Sequence, residues 1–263
     1  MIQSQKIRQV ILEQSKRANV GHIGSALSIA DIISALYEKV LNIPSLDHAE
    51  RDRFILSKGH AALALYAALH LKGWLSKEDL NTYCANNTFL GVHPEHHLKG
   101  IDFSTGSLGQ GLSIGAGCAL AAKLKKSTHR TFVLLSDAEM NEGSVWEAVM
   151  FAAHNKLSNL IAIIDDNAQQ AFGYTKDVLN LSSLSEKWKS FGWDAHNVDG
   201  HNVEQISKTI AQLNTTTGAP HVLIAKTTFG KGVSYMESQI KWHYWPMDDS
   251  QYQLAIKEID NQK

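Results

Sequence analysis

Two short apolar runs, Thr131-Phe-Val-Leu-Leu135 and Leu160-Ile-Ala-Ile-Ile164, show no polar alternation. Runs of that length fit strands buried on both faces of a sheet better than helices. Between them, Val145, Ala148, Val149 and Ala152 recur at helical intervals, and Ser144 and Glu147 stand at capping-box spacing. Strand, helix and strand make a βαβ unit, whose right-handed crossover sets the two strands parallel.

The same reading extends along the chain. Ile7, Val10, Ile11 and Ala18 suit an opening amphipathic helix. Ile29, Ile32, Ile33, Leu36, Tyr37 and Val40 suit a stronger one, begun by a Ser28-x-x-Asp31 box. Phe54-Ile-Leu56 reads as a short strand ahead of a helix from Ala61 to Leu71. Beyond the central unit, a helix over Ser185–Phe191 closes at Gly192 and leads into a strand over Trp193–Val198. Val203, Ile206, Ile210 and Leu213 mark another helix, and His221–Lys226 another strand. Residues 230–249 are irregular and aromatic-rich, more like a covering loop than an element. Strands alternating with helices predict an α/β fold, a mostly parallel, doubly wound sheet with helices on both faces. No Gly/Ser/Pro linker divides the sequence, so residues 1–263 are expected to form one domain.

Composition narrows the function classes. Twenty-five basic and 26 acidic residues leave a net charge of −1. With no Lys/Arg block, nucleic acid is not an expected partner. Cys84 and Cys118 are too few for a disulfide framework and suit a reducing compartment. No apolar stretch reaches membrane-spanning length, and the N-terminus lacks a signal-peptide core, so a cytoplasmic protein off the membrane is expected.

The chemistry concentrates at loops after the apolar runs. Asp137 and Asn167 each follow one of the two central strands. The carboxyl ends of adjacent parallel strands face one crevice, where open α/β sheets bind ligands. A carboxylate and an amide oxygen meeting there, with room for waters and phosphate oxygens, describe a Mg²⁺–polyphosphate site. The segment Thr105-Gly-Ser-Leu-Gly-Gln-Gly-Leu-Ser-Ile-Gly-Ala-Gly117 permits close backbone approach or tight helix packing. No strand leads into it and no acidic residue follows at dinucleotide spacing, which weakens an oxidoreductase reading. His22, His60, His93 and His243 lie beside small residues in loop-like contexts. Several imidazoles in one pocket would suit proton transfer among hydroxyl and carbonyl oxygens. His70 falls on the apolar face of its helix and is assigned to packing. His93, His96 and His97 are dense enough to suggest zinc, but no His-Glu-x-x-His helix supports it. Lys58 and Lys231, both beside glycines, could each meet a phosphate as a point charge.

Several ordered strings together carry a resemblance. They are Gly-His-Ile-Gly-Ser25, Asp52-Arg-Phe-Ile-Leu-Ser-Lys-Gly-His-Ala61, Thr105-Gly-Ser-Leu-Gly-Gln-Gly111, Asp137-Ala-Glu-Met-Asn-Glu-Gly-Ser-Val-Trp-Glu-Ala148, Lys156-Leu-Ser-Asn-Leu160 and Val198-Asp-Gly-His201. Over nearly its whole length the chain resembles the amino-terminal, diphosphate-binding part of transketolase, a thiamine diphosphate (ThDP) enzyme. The resemblance implies transfer of a two-carbon ketol unit from a ketose or its phosphate to an aldose or its phosphate. It implies that Asp137, Asn167 and the backbone carbonyl of Gln169 bind Mg²⁺, for which Ca²⁺ or Mn²⁺ can substitute, and that the metal holds the cofactor's diphosphate. His60, Gly106, Ser107, Leu108, Ala138, Lys231 and His243 then surround the cofactor, and His22, His93 and His243 are the catalytic histidines that hydrogen-bond the sugar and relay protons. The family's pyrimidine-binding and C-terminal domains find no match here. The resemblance therefore implies, as partner, a separate C-terminal transketolase subunit in a heterotetramer. The nearest alternative is the α subunit of a ThDP-dependent 2-oxoacid dehydrogenase, and a further one is a noncatalytic transketolase-like subunit.

Two departures from the family pattern stand out. The family usually has Gly-Asp-Gly where this chain has Ser136-Asp137-Ala138, and a glycine after the asparagine where this chain has Ala168. An alanine costs most where φ must be positive.

Overall fold

A computed structural model describes residues 2–261. Among the described residues, seven strands run in chain order as β1 (Arg53–Leu56), β2 (Thr131–Ser136), β3 (Leu160–Asp166), β4 (Gln169–Gln170), β5 (Gly173–Tyr174), β6 (Asp194–Asp199) and β7 (His221–Lys226). Five form one parallel sheet in the order β1-β2-β3-β7-β6, and β4 and β5 make a small antiparallel hairpin. The central βαβ unit is as expected: β2 and β3 pair in parallel, with Thr131 opposite Leu160 and Ser136 opposite Asp165.

Helices cover both faces. They are α1 (Ser4–Ala18), α2 (Ile23–Ser28), α3 (Ala30–Ala35), α4 (Ala62–Leu71), α5 (Lys77–Leu80), α6 (Gly111–Lys125), α7 (Gly143–His154), α8 (Thr175–Val178), α9 (Leu184–Ser190), α10 (Val203–Ala211), α11 (Lys241–Tyr244) and α12 (Asp249–Asp260). Side chains alternate along each strand, and the core splits accordingly. Phe132, Leu134, Ile161, Ile163 and Leu223 pack with residues of α1 to α4, α10 and α12. Val133, Leu135, Ala162, Ile164 and Val222 pack with residues of α6, α7 and α9. Both faces are dry, so residues 132–135 and 160–164 of the central strands are apolar at every position.

Two expected helix starts are different. The helix expected from Ser28 begins earlier, at Ile23, and is interrupted at Ile29, where φ is −100° and ψ 5°. Ser28 caps nothing; its hydroxyl donates to Asp165 Oδ1 at 2.7 Å. Asp31 instead accepts a forked pair of hydrogen bonds from Arg8 and a 2.7 Å contact from His201 Nδ1. His201 Nε2 accepts the Thr228 backbone N–H, so the ring proton lies on Nδ1 and is donated to Asp31. Ser144 likewise donates to the Gly109 carbonyl, and α7 starts behind Glu142 with no side-chain cap. The tertiary partners outcompeted the local caps. The loop over 230–249 does cover the sheet's end, and it contains α11.

Gly115 is where α6 presses on the sheet. A Cβ there would collide with the Val133 side chain of β2. Gly115→Val is therefore expected to lower unfolding stability by about 2 kcal/mol through overpacking. Urea denaturation measures it, and an unchanged midpoint would mean that α6 does not sit this close.

Candidate functional site

The carboxyl ends of β1, β2 and β3 each turn into a polar loop. Asp137 directly follows β2 and Asn167 directly follows β3, so the pairing of those strands brings the two residues to neighbouring tips. Asp137 Oδ2 accepts the Ala168 N–H at 2.7 Å, and Oδ1 accepts the Ala138 N–H at 2.8 Å. Asn167 turns its amide nitrogen inward, donating to Asp165 Oδ2 at 2.9 Å and Ser28 Oγ at 3.3 Å. That fixes its flip state and aims Oδ1 the other way, toward the Gln169 N–H at 2.9 Å.

Beneath them lies a buried ion pair. Lys58 Nζ contacts Asp165 Oδ2, with side-chain exposures of 1% and 0%. Asp165 Oδ1 also accepts from Ser28 and Thr227. Lys58, which could meet a phosphate as a point charge, lines the cavity described next, but its charge is taken by this carboxylate. Lys231 does not line that cavity, and its Nζ faces Glu237 at 3.5 Å.

A cavity of about 160 Å³ opens at these tips. Its lining includes His22, His60, His243, Gly106, Leu108, Ala138, Asn167 and Gln169. The three imidazoles form a triangle, with centroids 5.5 Å apart for His22–His60, 4.9 Å for His22–His243 and 5.5 Å for His60–His243. His93 and Ser107 line an adjoining open groove that shares Gly106. A wider hollow of about 430 Å³ lies on the far side of the Asn167–Gln169 turn, lined by Asp137, Asp166 and Lys226. We place the chemistry at the smaller cavity, because the histidines, the glycine-rich loop and the orphaned polar atoms converge there.

The glycine-rich loop reaches this place through two ties that sequence reasoning missed. Glu139 Oε1 accepts the Gly109 N–H at 2.7 Å and the Ser57 hydroxyl, and Thr105 Oγ1 donates to the Leu56 carbonyl at 2.6 Å. A Cβ on Gly59 would stand 2.9 Å from the Gly106 nitrogen, so the two backbones meet only because residue 59 is glycine. No local pattern marks Glu139 or Asp165, because the partners that tie them to other loops, Ser57 and Gly109 for the first and Ser28, Lys58 and Thr227 for the second, are distant in sequence.

The electrostatics have one direction. Burial pushes the His243 imidazole down to about 4, with His22 and Lys58 adding to it. Burial and His93 lower His22, and burial with Lys58 and the neighbouring histidines holds His60 well below its ordinary value. All three are neutral at neutral pH and can accept or donate hydrogen bonds. Burial, helped by the Asp165 carboxylate, pushes Asp137 up from 3.8 to about 7. Three carboxylates, Asp137, Asp165 and Asp166, face two cations, Lys58 on Asp165 and Lys226 on Asp166, so the site favours a further cation. Gln169 Oε1 is buried without a hydrogen-bond partner, as is His22 Nδ1. Hard oxygen donors and an uncompensated negative charge fit a divalent ion bridging to an anionic group.

Comparison with known proteins identifies the family. Residues 2–259 match the family described as "Transketolase, thiamine diphosphate binding domain". The chain belongs to the transketolase family. It is 42% identical over 260 residues to an apulose-4-phosphate transketolase subunit of Phocaeicola vulgatus, covering 98% of this chain and 92% of that relative. It is 38% identical to the 6-deoxy-6-sulfo-D-fructose transketolase subunit SqwG of a Clostridium species, covering 99% and 96%. Transketolase from Campylobacter jejuni superposes with a TM-score of 0.91 at 31% identity, over 98% of this chain and 42% of that one. For the Leishmania mexicana enzyme the values are 0.86 and 27%, over 98% and 44%. The chain thus spans less than half of these solved enzymes and nearly all of relatives named as subunits. It corresponds to the amino-terminal subunit of a transketolase, which the family match favours over a 2-oxoacid dehydrogenase α subunit.

Of the two departures from the family pattern, only one strains the backbone. Ala138 opens a short helical turn and is not in the left-handed region, whereas Ala168 has φ +63°. Ala168→Gly is expected to raise stability by about 1 kcal/mol by relieving that strain. Thermal denaturation measures it, and a lowered midpoint would show the alanine to be accommodated.

Asp137 also sets a pH dependence. Between about pH 4, the ordinary carboxylate range, and about 7, the folded chain holds a proton that the unfolded chain lacks. Stability of the metal-free chain therefore falls as pH rises through that window and levels off above it. Asp137→Asn removes this slope. Urea unfolding at stepped pH measures it, and an unaltered slope in the variant would exclude Asp137 as its source.

Proposed function

We propose that this chain holds the diphosphate of ThDP through a divalent cation, Mg²⁺ in the first instance, with Ca²⁺ or Mn²⁺ able to replace it. Asp137, the Asn167 side-chain oxygen and the Gln169 backbone carbonyl would ligate it. The observation that carries this reading is the juxtaposition of buried Asp137 and Asn167 at the neighbouring tips of β2 and β3, with Asp137 holding the Ala168 N–H and the Asn167 side-chain oxygen facing the Gln169 N–H. His60, Gly106, Ser107, Leu108, Ala138, Lys231 and His243 would surround the cofactor, and Lys231 would have to give up its 3.5 Å contact with Glu237 to do so.

When bound, ThDP supplies the nucleophilic carbon and the electron sink for cleaving and forming a bond beside a ketose carbonyl. The chain's own contribution is positioning and proton transfer. His22, His93 and His243 would hydrogen-bond sugar hydroxyls and the carbonyl. The lowered affinity of His22 and His243 for protons leaves lone pairs available to take one from a hydroxyl.

Residues 1–263 act as one ThDP- and cation-binding domain, and the reaction needs a separate C-terminal subunit supplying the pyrimidine-binding half, in a heterotetramer. The cavity supports this: about 160 Å³ is below the roughly 300 Å³ at which whole ligand sites begin. The ketol donor is a ketose or its phosphate and the acceptor an aldose or its phosphate. The relative named for apulose 4-phosphate makes a phosphorylated ketose the first donor to test. Among the described residues no helix is long and apolar enough to cross a membrane, and we place the activity in the cytoplasm.

The deciding experiment pairs the chain with its C-terminal partner. Asp137→Ala is expected to abolish the heat of ThDP binding in Mg²⁺. His93→Ala should retain binding and lower kcat about 100-fold, the scale of lost general acid–base catalysis. Robust ketol transfer by the chain without a partner, or equal loss of binding in both variants, would overturn the assignment.

A further inference from the structure

At the opposite end of the sheet, β6 is the edge strand and β7 its single neighbour in the sheet. Their first residues, Asp194 and His221, are directly paired in parallel register. His196 lies two residues beyond Asp194 and so shares its face of the strand. We infer that Asp194, His196 and His221 form a second metal site, suited to Zn²⁺ or another borderline divalent transition metal.

One ligand atom from each of the three lies within 4.8 Å of the others. Asp194 Oδ2 stands 3.0 Å from His221 Nδ1 and 2.9 Å from His196 Nε2. The His221 ring is decisive, because its other nitrogen, Nε2, lies 3.0 Å from the Asn214 carbonyl oxygen. A carbonyl only accepts, so Nε2 carries the proton. In a neutral ring Nδ1 then presents a lone pair to a carboxylate oxygen at 3.0 Å. Two lone pairs at that distance repel unless a cation lies between them.

His196 makes the same demand. Its Nε2 is close to the same oxygen but is not aligned for an N–H···O bond, and it is a buried nitrogen without a hydrogen-bond partner. One metal ion answers both nitrogens. Tetrahedral zinc with bonds of about 2.0–2.1 Å sets its ligand atoms roughly 3.3 Å apart. The 2.9 and 3.0 Å spacings to Asp194 need a slight opening, and the two histidine nitrogens already lie within 4.8 Å of each other. Two imidazoles with one carboxylate suit zinc and its neighbours rather than Mg²⁺ or Ca²⁺. The hydrogen bond from His221 Nε2 to a backbone carbonyl is the kind that fixes the tautomer and orientation of a ligating histidine. His221 is buried while the Asp194 and His196 side chains are 49% and 34% exposed, which leaves an entry path and room for water as a fourth ligand.

The six-residue strands separate this cluster from the cofactor tips by roughly 17–20 Å. The ion would therefore act structurally, pinning the edge strand to β7.

The test uses the untagged chain, stripped by chelator and kept in saturating Mg²⁺ so that Asp137 and Asn167 are not free to take zinc. Calorimetry should show one Zn²⁺ bound at micromolar concentration, and Co²⁺ in its place should show the visible bands of a four-coordinate ion. Asp194→Asn and, separately, His196→Gln should weaken Zn²⁺ binding at least about tenfold and remove those bands. Both positions are partly exposed, so circular dichroism should show the fold of each variant unchanged. An anomalous-scattering peak at the zinc edge should fall between the three residues. Unchanged affinity in both variants, a peak at another group of histidines, or no binding at micromolar Zn²⁺ would overturn the proposal and leave a proton as the cation that holds His221 to Asp194.

Discussion

The Lys58–Asp165 ion pair is the constraint on which the site depends. Asp165 lies within β3, Lys58 two residues beyond β1, Ser28 at the end of α2 and Thr227 one residue beyond β7. All of them meet at one carboxylate, together with the Asn167 amide. Two charges removed from water gain little net stability over a well-packed apolar pair, but losing one partner leaves the other buried and unpaired. The pair therefore serves placement more than stability. It ties the loops after three strands and one helix to a common point, directly below the residues that would hold a cation.

That placement also sets the charge balance above it. Lys58 keeps the His60 and His243 imidazoles from protonating, on top of their burial. Asp165, although paired, still raises Asp137. A single neutralised pair thus leaves neutral imidazoles on one side and an under-compensated carboxyl on the other. The first suits hydrogen bonding and proton exchange with hydroxyls, and the second suits a divalent cation. Burial sets both conditions, and the Lys58–Asp165 pair adds to each, the lysine at the imidazoles and the carboxylate at Asp137.

Much of the fold was legible because the central strands are buried on both faces. Residues 132–135 and 160–164 have no polar residue to confuse their reading, and the tips that follow them carried Asp137 and Asn167 into view. The capping boxes at Ser28 and Ser144 were misleading for a physical reason. A serine hydroxyl near a helix start caps it only when no better partner is in reach, and Asp165 and the Gly109 carbonyl were in reach. Lys58 was readable as a cation near glycine but not as half of a buried pair, since Asp165 lies 107 residues away. Lys231 was readable beside its glycines, but its contact with Glu237, six residues on, was not. Local pattern names the groups, and long-range pairing decides which remain available.

The two alanines that replace family glycines show how narrow that decision is. Ala138 sits at the start of a short helical turn, where a Cβ meets no backbone penalty, so its N–H reaches Asp137 Oδ1 as a glycine's would. Ala168 sits in the left-handed region, and its N–H is held by Asp137 Oδ2. The conformation at 168 is therefore imposed by the carboxylate and by the turn that follows, in which the Gln169 N–H returns to Asn167 Oδ1. An L-residue accepts that strain when the surrounding bonds over-determine the backbone. Those bonds orient both side-chain ligands proposed for the cation, so the strain at Ala168 and the preorganisation of the site have the same origin.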